Sequence, residues 1–75
     1  MKQFHWCENT ILEPDKNVNV VLHICYEVDV AYNPRVRGII HEDRSINSLS
    51  VEFRGDKKRY DLPTFSSAKY FVENN

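Results

Sequence analysis

The feature that most constrains the fold is an alternation of apolar and mixed residues that runs unbroken from Val18 to Tyr32. Every even-numbered position in this segment is apolar, and these positions are Val18, Val20, Leu22, Ile24, Tyr26, Val28, Val30 and Tyr32. Side chains of a strand alternate between two faces, so the pattern predicts a central β-strand with a buried even-numbered face. At ~3.3 Å per residue the strand would be roughly 50 Å long, which requires a bend or a bulge.

A second strand is predicted upstream, because Phe4, Trp6, Thr10 and Leu12 share one parity. Residues 14–17 are typical of a turn, so we expect the two strands to pair antiparallel. Burying both apolar sets on one side requires even-numbered residues to lie opposite even-numbered ones. The preferred register places Trp6 opposite Ile24, Cys7 opposite His23 and His5 opposite Cys25, and the next allowed register places Cys7 opposite Cys25.

Three further strands are predicted downstream. Pro34 ends the long strand, because proline has no N–H to donate to a neighbouring strand. Residues 36–42 form the third strand, and the last two strands carry the apolar residues Leu49, Val51, Phe53, Tyr60 and Leu62. A tight turn at Gly55-Asp56 would place Val51 opposite Tyr60, so the turn chemistry and the apolar parity agree.

A short helix is predicted at the C-terminal end. Thr64 is a suitable N-cap residue, and apolar residues follow at helical spacing, namely Phe65, Ala68, Phe71 and Val72. The sequence therefore predicts an α+β fold in one domain over residues 1–75. We expect a curved antiparallel meander of about five strands with this helix packed on the apolar face.

Composition sets the broad class of the protein. The 75 residues are 41% hydrophobic and carry a net charge of −1, which is typical of a folded chain rather than a disordered one. The first twelve residues lack the apolar run of a signal peptide or a membrane span. We therefore expect a cytoplasmic protein in which Cys7 and Cys25 are reduced thiols, without a membrane partner or a small-molecule substrate.

Two His-x-Cys pairs are the only hint of site chemistry. His5, Cys7, His23 and Cys25 are the ligand types of a Cys2His2 zinc site, which is one alternative function. The Cys7 and His23 side chains would also suit a nucleophilic dyad. We expect no enzymatic activity, however, because the chain has no recognisable oxyanion loop.

A basic segment supports a second alternative, a nucleic-acid-binding module. Residues 1–33 have a net charge of −3 and residues 34–60 a net charge of +3. The basic residues in question are Arg35, Arg37, Arg54, Lys57, Lys58 and Arg59, with Phe53 and Tyr60 nearby. Basic residues interleaved with aromatic ones bind phosphates and stack bases, although the predicted hairpin turns both aromatic side chains inward.

The preferred function is a non-enzymatic protein-interaction module. The face predicted to lie away from the core is more apolar than a solvated face needs to be, and its candidate contact residues are Val21, His23, Cys25, Ile39 and His41. The expected partner is another protein or a second copy of this chain. A stoichiometric inhibitor or adaptor of the kind that phages and mobile elements carry would fit a chain of this size.

Overall fold

The computed structural model describes residues 3–16 and 18–75, which form one five-stranded antiparallel sheet and one helix. The elements are β1 (Gln3–Glu13), β2 (Val18–Val28), β3 (Pro34–Asp43), β4 (Ser48–Phe53), β5 (Arg59–Asp61) and α1 (Phe65–Asn74). The strands lie side by side in chain order, so the sheet is a meander. The predicted α+β fold class is confirmed. A short 3-10 turn, Pro14–Lys16, follows β1, while Asn17 of the predicted turn lies outside the described residues.

The C-terminal helix begins as the sequence predicts. The Thr64 hydroxyl accepts a hydrogen bond from the Ser67 N–H at 3.1 Å, and the Thr64 N–H donates to the Ser67 hydroxyl at 3.2 Å. This reciprocal capping satisfies N–H groups that an isolated helix start leaves unpaired. Ala68 and Val72 are fully buried against the sheet, so the predicted apolar stripe is the face that packs.

The helix covers the opposite face of β2 from the one predicted. Val21, His23 and Cys25 are only 2%, 6% and 0% exposed, whereas Leu22 and Ile24 on the other face are partly exposed. The prediction that the even-numbered residues of β2 face the core is therefore wrong.

The physical reason is the register between the first two strands. Trp6 lies opposite Cys25 and Cys7 opposite Ile24, so even-numbered residues of β1 face odd-numbered residues of β2. The apolar sets of the two strands thus lie on opposite sides of the sheet, and the predicted pairs of Trp6 with Ile24, Cys7 with His23 and His5 with Cys25 are absent. Trp6 packs against the core beside Cys25.

The register between β2 and β3 contains one irregularity, and its extra residue lies in β3 rather than in the long strand for which a bend or bulge is predicted. Cys25 lies opposite Gly38 but Tyr26 lies opposite Val36, so β3 contributes Arg37 as an extra residue. Such a bulge bends the strand and changes the direction of the side chain it carries. Here the Arg37 side chain reaches the C-terminal end of α1, where its Nε–H donates to the Val72 carbonyl at 2.6 Å.

The predicted long strand ends earlier than its sequence alternation suggests. β2 stops at Val28, and the carboxylate of Asp29 accepts hydrogen bonds from the N–H groups of Ala31 at 2.9 Å and Asn33 at 3.0 Å. These bonds hold a turn in which Tyr32 has a φ of 61°. Asp side chains that bond the backbone two residues later favour turns over strands. Val30 and Tyr32 continue the apolar alternation of the sequence, but they lie in this turn and not in a strand.

The β4–β5 hairpin has the predicted register. Val51 lies opposite Tyr60, and the Leu62 N–H donates to the Leu49 carbonyl at 3.2 Å. The tight turn lies one residue earlier than predicted, because the Asp56 N–H bonds the Phe53 carbonyl and Gly55 has a φ of 79°. Arg54 and Gly55 are therefore the central turn residues.

We expect Gly38→Ala to destabilise the fold. An added Cβ would lie 3.2 Å from Val72 Cγ1 and 3.2 Å from the Glu52 carbonyl oxygen, so the helix would have to move away from the sheet. Such overpacking lowers the free energy of unfolding by about 1–3 kcal/mol. Urea unfolding measures the change, and Ser66→Ala on the exposed side of α1 is the control. Equal stability of Gly38→Ala and the parent would contradict the proposed close packing.

Candidate protein-binding face

One side of the sheet has no element packed on it among the described residues, and we call this side the open face. It is the side away from α1, and its apolar side chains come from the first three strands. They are Ile11 of β1, Val20, Leu22, Ile24 and Tyr26 of β2, and Val36 and Ile39 of β3. Ile11 is 40% exposed, and the others are partly exposed because only their cross-strand neighbours shield them.

The strand registers arrange these side chains in continuous rows. Ile24 lies between Cys7 and Ile39, and Tyr26 lies beside Val36. Along β2 the apolar row from Val20 to Tyr26 is roughly 20 Å long, at ~3.3 Å per residue. The row is therefore a contiguous apolar surface rather than a set of isolated side chains.

Charged side chains flank this apolar row, and most of them are acidic. On the open face of the described strands the acidic residues are Glu13, Asp43, Glu52 and Asp61. Arg59 is the only lysine or arginine at these strand positions. His41 lies among them, and its Nε2 is hydrogen-bonded to Glu52 Oε1 at 2.8 Å. The open face thus combines an apolar centre with a mainly acidic rim.

A depression of about 150 Å³ lies at one end of the open face. It is lined by Val36, Ile39, Glu52, Phe53, Arg54 and Gly55. The depression lies between the β3 bulge and the β4–β5 turn. A volume of this size matches that of one large side chain.

The structure places only part of the predicted partner-binding set on this face. Ile39 and His41 lie on the open face, but Val21, His23 and Cys25 are buried beneath α1. The prediction that all five share an exposed face is wrong, because the helix covers the odd-numbered side of β2. That prediction missed Leu22 and Ile24, because the alternation of the sequence predicts that the even-numbered residues of β2 are buried.

The predicted zinc ligands do not converge. His5 and Cys7 lie on the open face, whereas His23 and Cys25 lie on the helix face, so the sheet separates the two pairs. No group of three His, Cys, Asp or Glu side chains in residues 3–16 and 18–75 is arranged to hold a metal. Because Cys7 pairs with Ile24, the predicted contact between the Cys7 thiol and the His23 ring is also wrong.

His23 has a structural role instead. Its Nε2 is hydrogen-bonded to Glu42 Oε1 at 2.9 Å, its Nδ1 lies 3.6 Å from Glu8 Oε1, and its ring meets the edge of Phe65 at 4.5 Å between centroids. The hydrogen bond from His23 is the main reason that the pKa of Glu42 lies below its ordinary value. The buried imidazole thereby joins three strands to the start of the helix.

The two cysteines have different environments. Burial raises the pKa of the Cys25 thiol to about 11, and the nearby Glu73 carboxylate adds to this rise. A thiol with so high a pKa is protonated at neutral pH and is a poor nucleophile. Cys7, on β1, is exposed to solvent. Of the two thiols, that of Cys7 is accessible to solvent and that of Cys25 is not.

The predicted nucleic-acid residues are also divided by the structure. The Arg37 guanidinium lies 3.5 Å from Glu27 and covers the Phe4 ring at 5.4 Å, so it serves the core and the helix end. The five other basic residues are exposed, and they are Arg35, Arg54, Lys57, Lys58 and Arg59. Both nearby aromatic side chains pack inward on α1, with Phe53 and Tyr60 at 5.5 and 5.3 Å from the Phe71 ring. This region therefore has charge but lacks stacking surfaces.

We expect a thiol titration to distinguish the two cysteines. At neutral pH the folded protein should react rapidly with one equivalent of a disulfide reagent at Cys7, while Cys25 reacts only when the chain unfolds. The protonated state and the burial of Cys25 both oppose its reaction. Cys7→Ser, the matched variant, should lose the fast phase alone. Rapid reaction of two thiols in the folded state would contradict the burial of Cys25.

The described residues contain no helix with the length and apolar character needed to cross a membrane. Comparison with known proteins found no matching family model, no matching curated protein and no matching solved structure. Among the described surfaces, the open face has the most pronounced combination of apolar and charged side chains. Its centre is apolar, its rim is mostly acidic, and one end has a depression.

Proposed function

We propose that this protein is a non-enzymatic protein-interaction module whose open face binds another protein. The observation that carries the proposal is the uncovered apolar row from Val20 to Tyr26, extended by Ile39 on β3. Contiguous exposed apolar surface rimmed by polar residues is typical of interaction sites in soluble proteins. A stoichiometric inhibitor or adaptor of the kind that phages and mobile elements carry fits this mode of action.

The size of the patch is suited to the centre of an interface. Three strands at ~4.8 Å spacing and a row of roughly 20 Å give an area of about 300 Å². This area includes the polar positions His5, Asn9, His41 and Asp43 among the apolar ones, and it is below the ~800 Å² that one partner buries in a standard interface. The charged rim must therefore contribute contacts, so rim chemistry should select the partner.

The acidic rim disfavours binding of the open face to the open face of a second copy. Two open faces stacked on each other would bring acidic rims together, and like charges at an interface oppose association. The complementary partner has an apolar surface surrounded by lysine or arginine side chains. A nucleic acid is disfavoured at this face for the same reason, because its phosphates would meet Glu52 and Asp61.

The non-enzymatic part of the proposal is supported by the positions of the nucleophile candidates. Cys7 and His23 lie on opposite sides of the sheet, and the Cys25 thiol is buried under α1. These positions also prevent a disulfide within one chain, in keeping with the cytoplasmic location that we predict from the sequence.

We expect Ile24→Lys to weaken partner binding. The lysine would place an ammonium group at the centre of the apolar row, and loss of a central apolar contact should weaken binding at least about tenfold. Tyr70→Lys is the matched control, because Tyr70 is an exposed aromatic residue on α1, away from the open face.

The measurement begins with capture from a lysate of the source organism and continues with calorimetry on the purified captured protein. The parent and Tyr70→Lys should bind it with equal affinity, and Ile24→Lys should bind it at least about tenfold more weakly. Urea unfolding checks that all three are folded. Glu52→Lys should also weaken binding, more strongly at low salt. Equal binding by Ile24→Lys would contradict the proposal. If the parent captures nucleic acid and the variant with Lys57, Lys58 and Arg59 changed to glutamate does not, the nucleic-acid-binding alternative replaces this proposal.

A further inference from the structure

β1 is an unprotected edge of the sheet. Among residues 3–16 and 18–75 it has a neighbouring strand only on the β2 side, and its register with β2 runs from Gln3 to Glu13 without a shift. Natural edge strands are usually short, bulged, or marked by proline or lysine, which prevents pairing with another chain. β1 is eleven residues long, and residues 3–13 contain no proline, glycine, lysine or arginine. The other edge, β5, is only three residues long.

We propose that β1 pairs antiparallel with β1 of a second copy of this chain, with Asn9 opposite Asn9 on the two-fold axis. The result is a continuous sheet twice as wide, with both helices on one side and both open faces on the other. This inference concerns the edge of the sheet and is independent of the function proposed for the open face.

Symmetry restricts the registers that this pairing can use. Antiparallel strands side by side in a dimer are related by a two-fold axis perpendicular to the sheet, so each face continues into the same face of the second copy. Residues directly opposite each other point to the same side. Even-numbered residues must therefore lie opposite even-numbered ones, which leaves a few registers, each with one residue of β1 on the axis.

Side-chain chemistry selects the Asn9 register from these. On the helix face it places Trp6 opposite Leu12 of the second copy, and Leu12 is 62% exposed in the single chain. On the open face it places Cys7 opposite Ile11, and His5 opposite Glu13. Two apolar pairs and one pair of complementary polarity therefore form, each of them twice by symmetry.

The neighbouring registers have unfavourable pairs. A shift that puts Glu8 on the axis places two carboxylates directly opposite each other, which is destabilising. A shift that puts Thr10 on the axis places Glu8 opposite Leu12 and Cys7 opposite Glu13. A shift that puts Cys7 on the axis places Glu8 opposite Trp6. Of the registers that put a residue from His5 to Ile11 on the axis, the Asn9 register alone places two different apolar pairs opposite each other, and it brings no carboxylates together.

A disulfide cross-link tests this register directly. In Ile11→Cys the introduced thiol lies opposite Cys7 of the second copy, so mild oxidation should produce a covalent dimer joined by two symmetric disulfides. The parent should not form this dimer, because its Cys7 thiols are four residues apart along the paired strands. The double variant Cys7→Ser, Ile11→Cys should not form it either. Peptide mapping should find position 7 joined to position 11, and absence of this bond, or equal linkage in the controls, would overturn the proposal.

Sedimentation of the unmodified chain gives a second, non-covalent measurement. The parent should show a concentration-dependent dimer, and Asn9→Lys should raise its dissociation constant at least about tenfold, because two ammonium groups meet on the axis. Ser66→Lys adds the same charge on α1 and should leave the dimer unchanged. A strict monomer at high micromolar concentration, or a dimer lost in Ile24→Lys but kept in Asn9→Lys, would overturn edge pairing.

Discussion

The structure depends on the close approach of α1 to the sheet at Gly38. The absence of a side chain there lets Val72 come within van der Waals distance of β3, and the bulge beside it sends Arg37 to the last carbonyl groups of the helix. Cys25, Ile40 and Val51 then lie under one helix of ten residues. Such a helix covers only one side of a five-stranded sheet. The uncovered side follows directly from this packing.

Local rules predicted most of the fold. Thr64 and the apolar spacing after it located α1, and turn chemistry with apolar parity gave the pairing of Val51 with Tyr60. The assignment of faces could not be predicted in the same way. Alternation shows that β2 has an apolar side, but Val21 and Cys25 make its other side apolar as well. The register of Trp6 with Cys25 decides between the two sides, and that register depends on contacts distant in sequence.

The sequence predicted the kind of candidate site but not most of the residues that form it. A small sheet with more apolar surface than one helix can cover was foreseen, and Ile39 and His41 do lie on the uncovered side. The repeated His-x-Cys pattern drew attention to residues that the structure divides between two faces. On the helix face His23 and Cys25 are buried parts of the core, while on the open face Cys7 lies beside Ile24.

The central claim is that the two faces of the sheet have different roles, with the core on the Cys25 side and a binding surface on the Ile24 side. The most direct measurement is the relaxation of isoleucine methyl groups in solution by a neutral, soluble gadolinium chelate. Ile24 and Ile39 should relax strongly as exposed groups, and Ile40, on the buried side, should be protected. Protection of Ile24 together with strong relaxation of Ile40 would contradict this account.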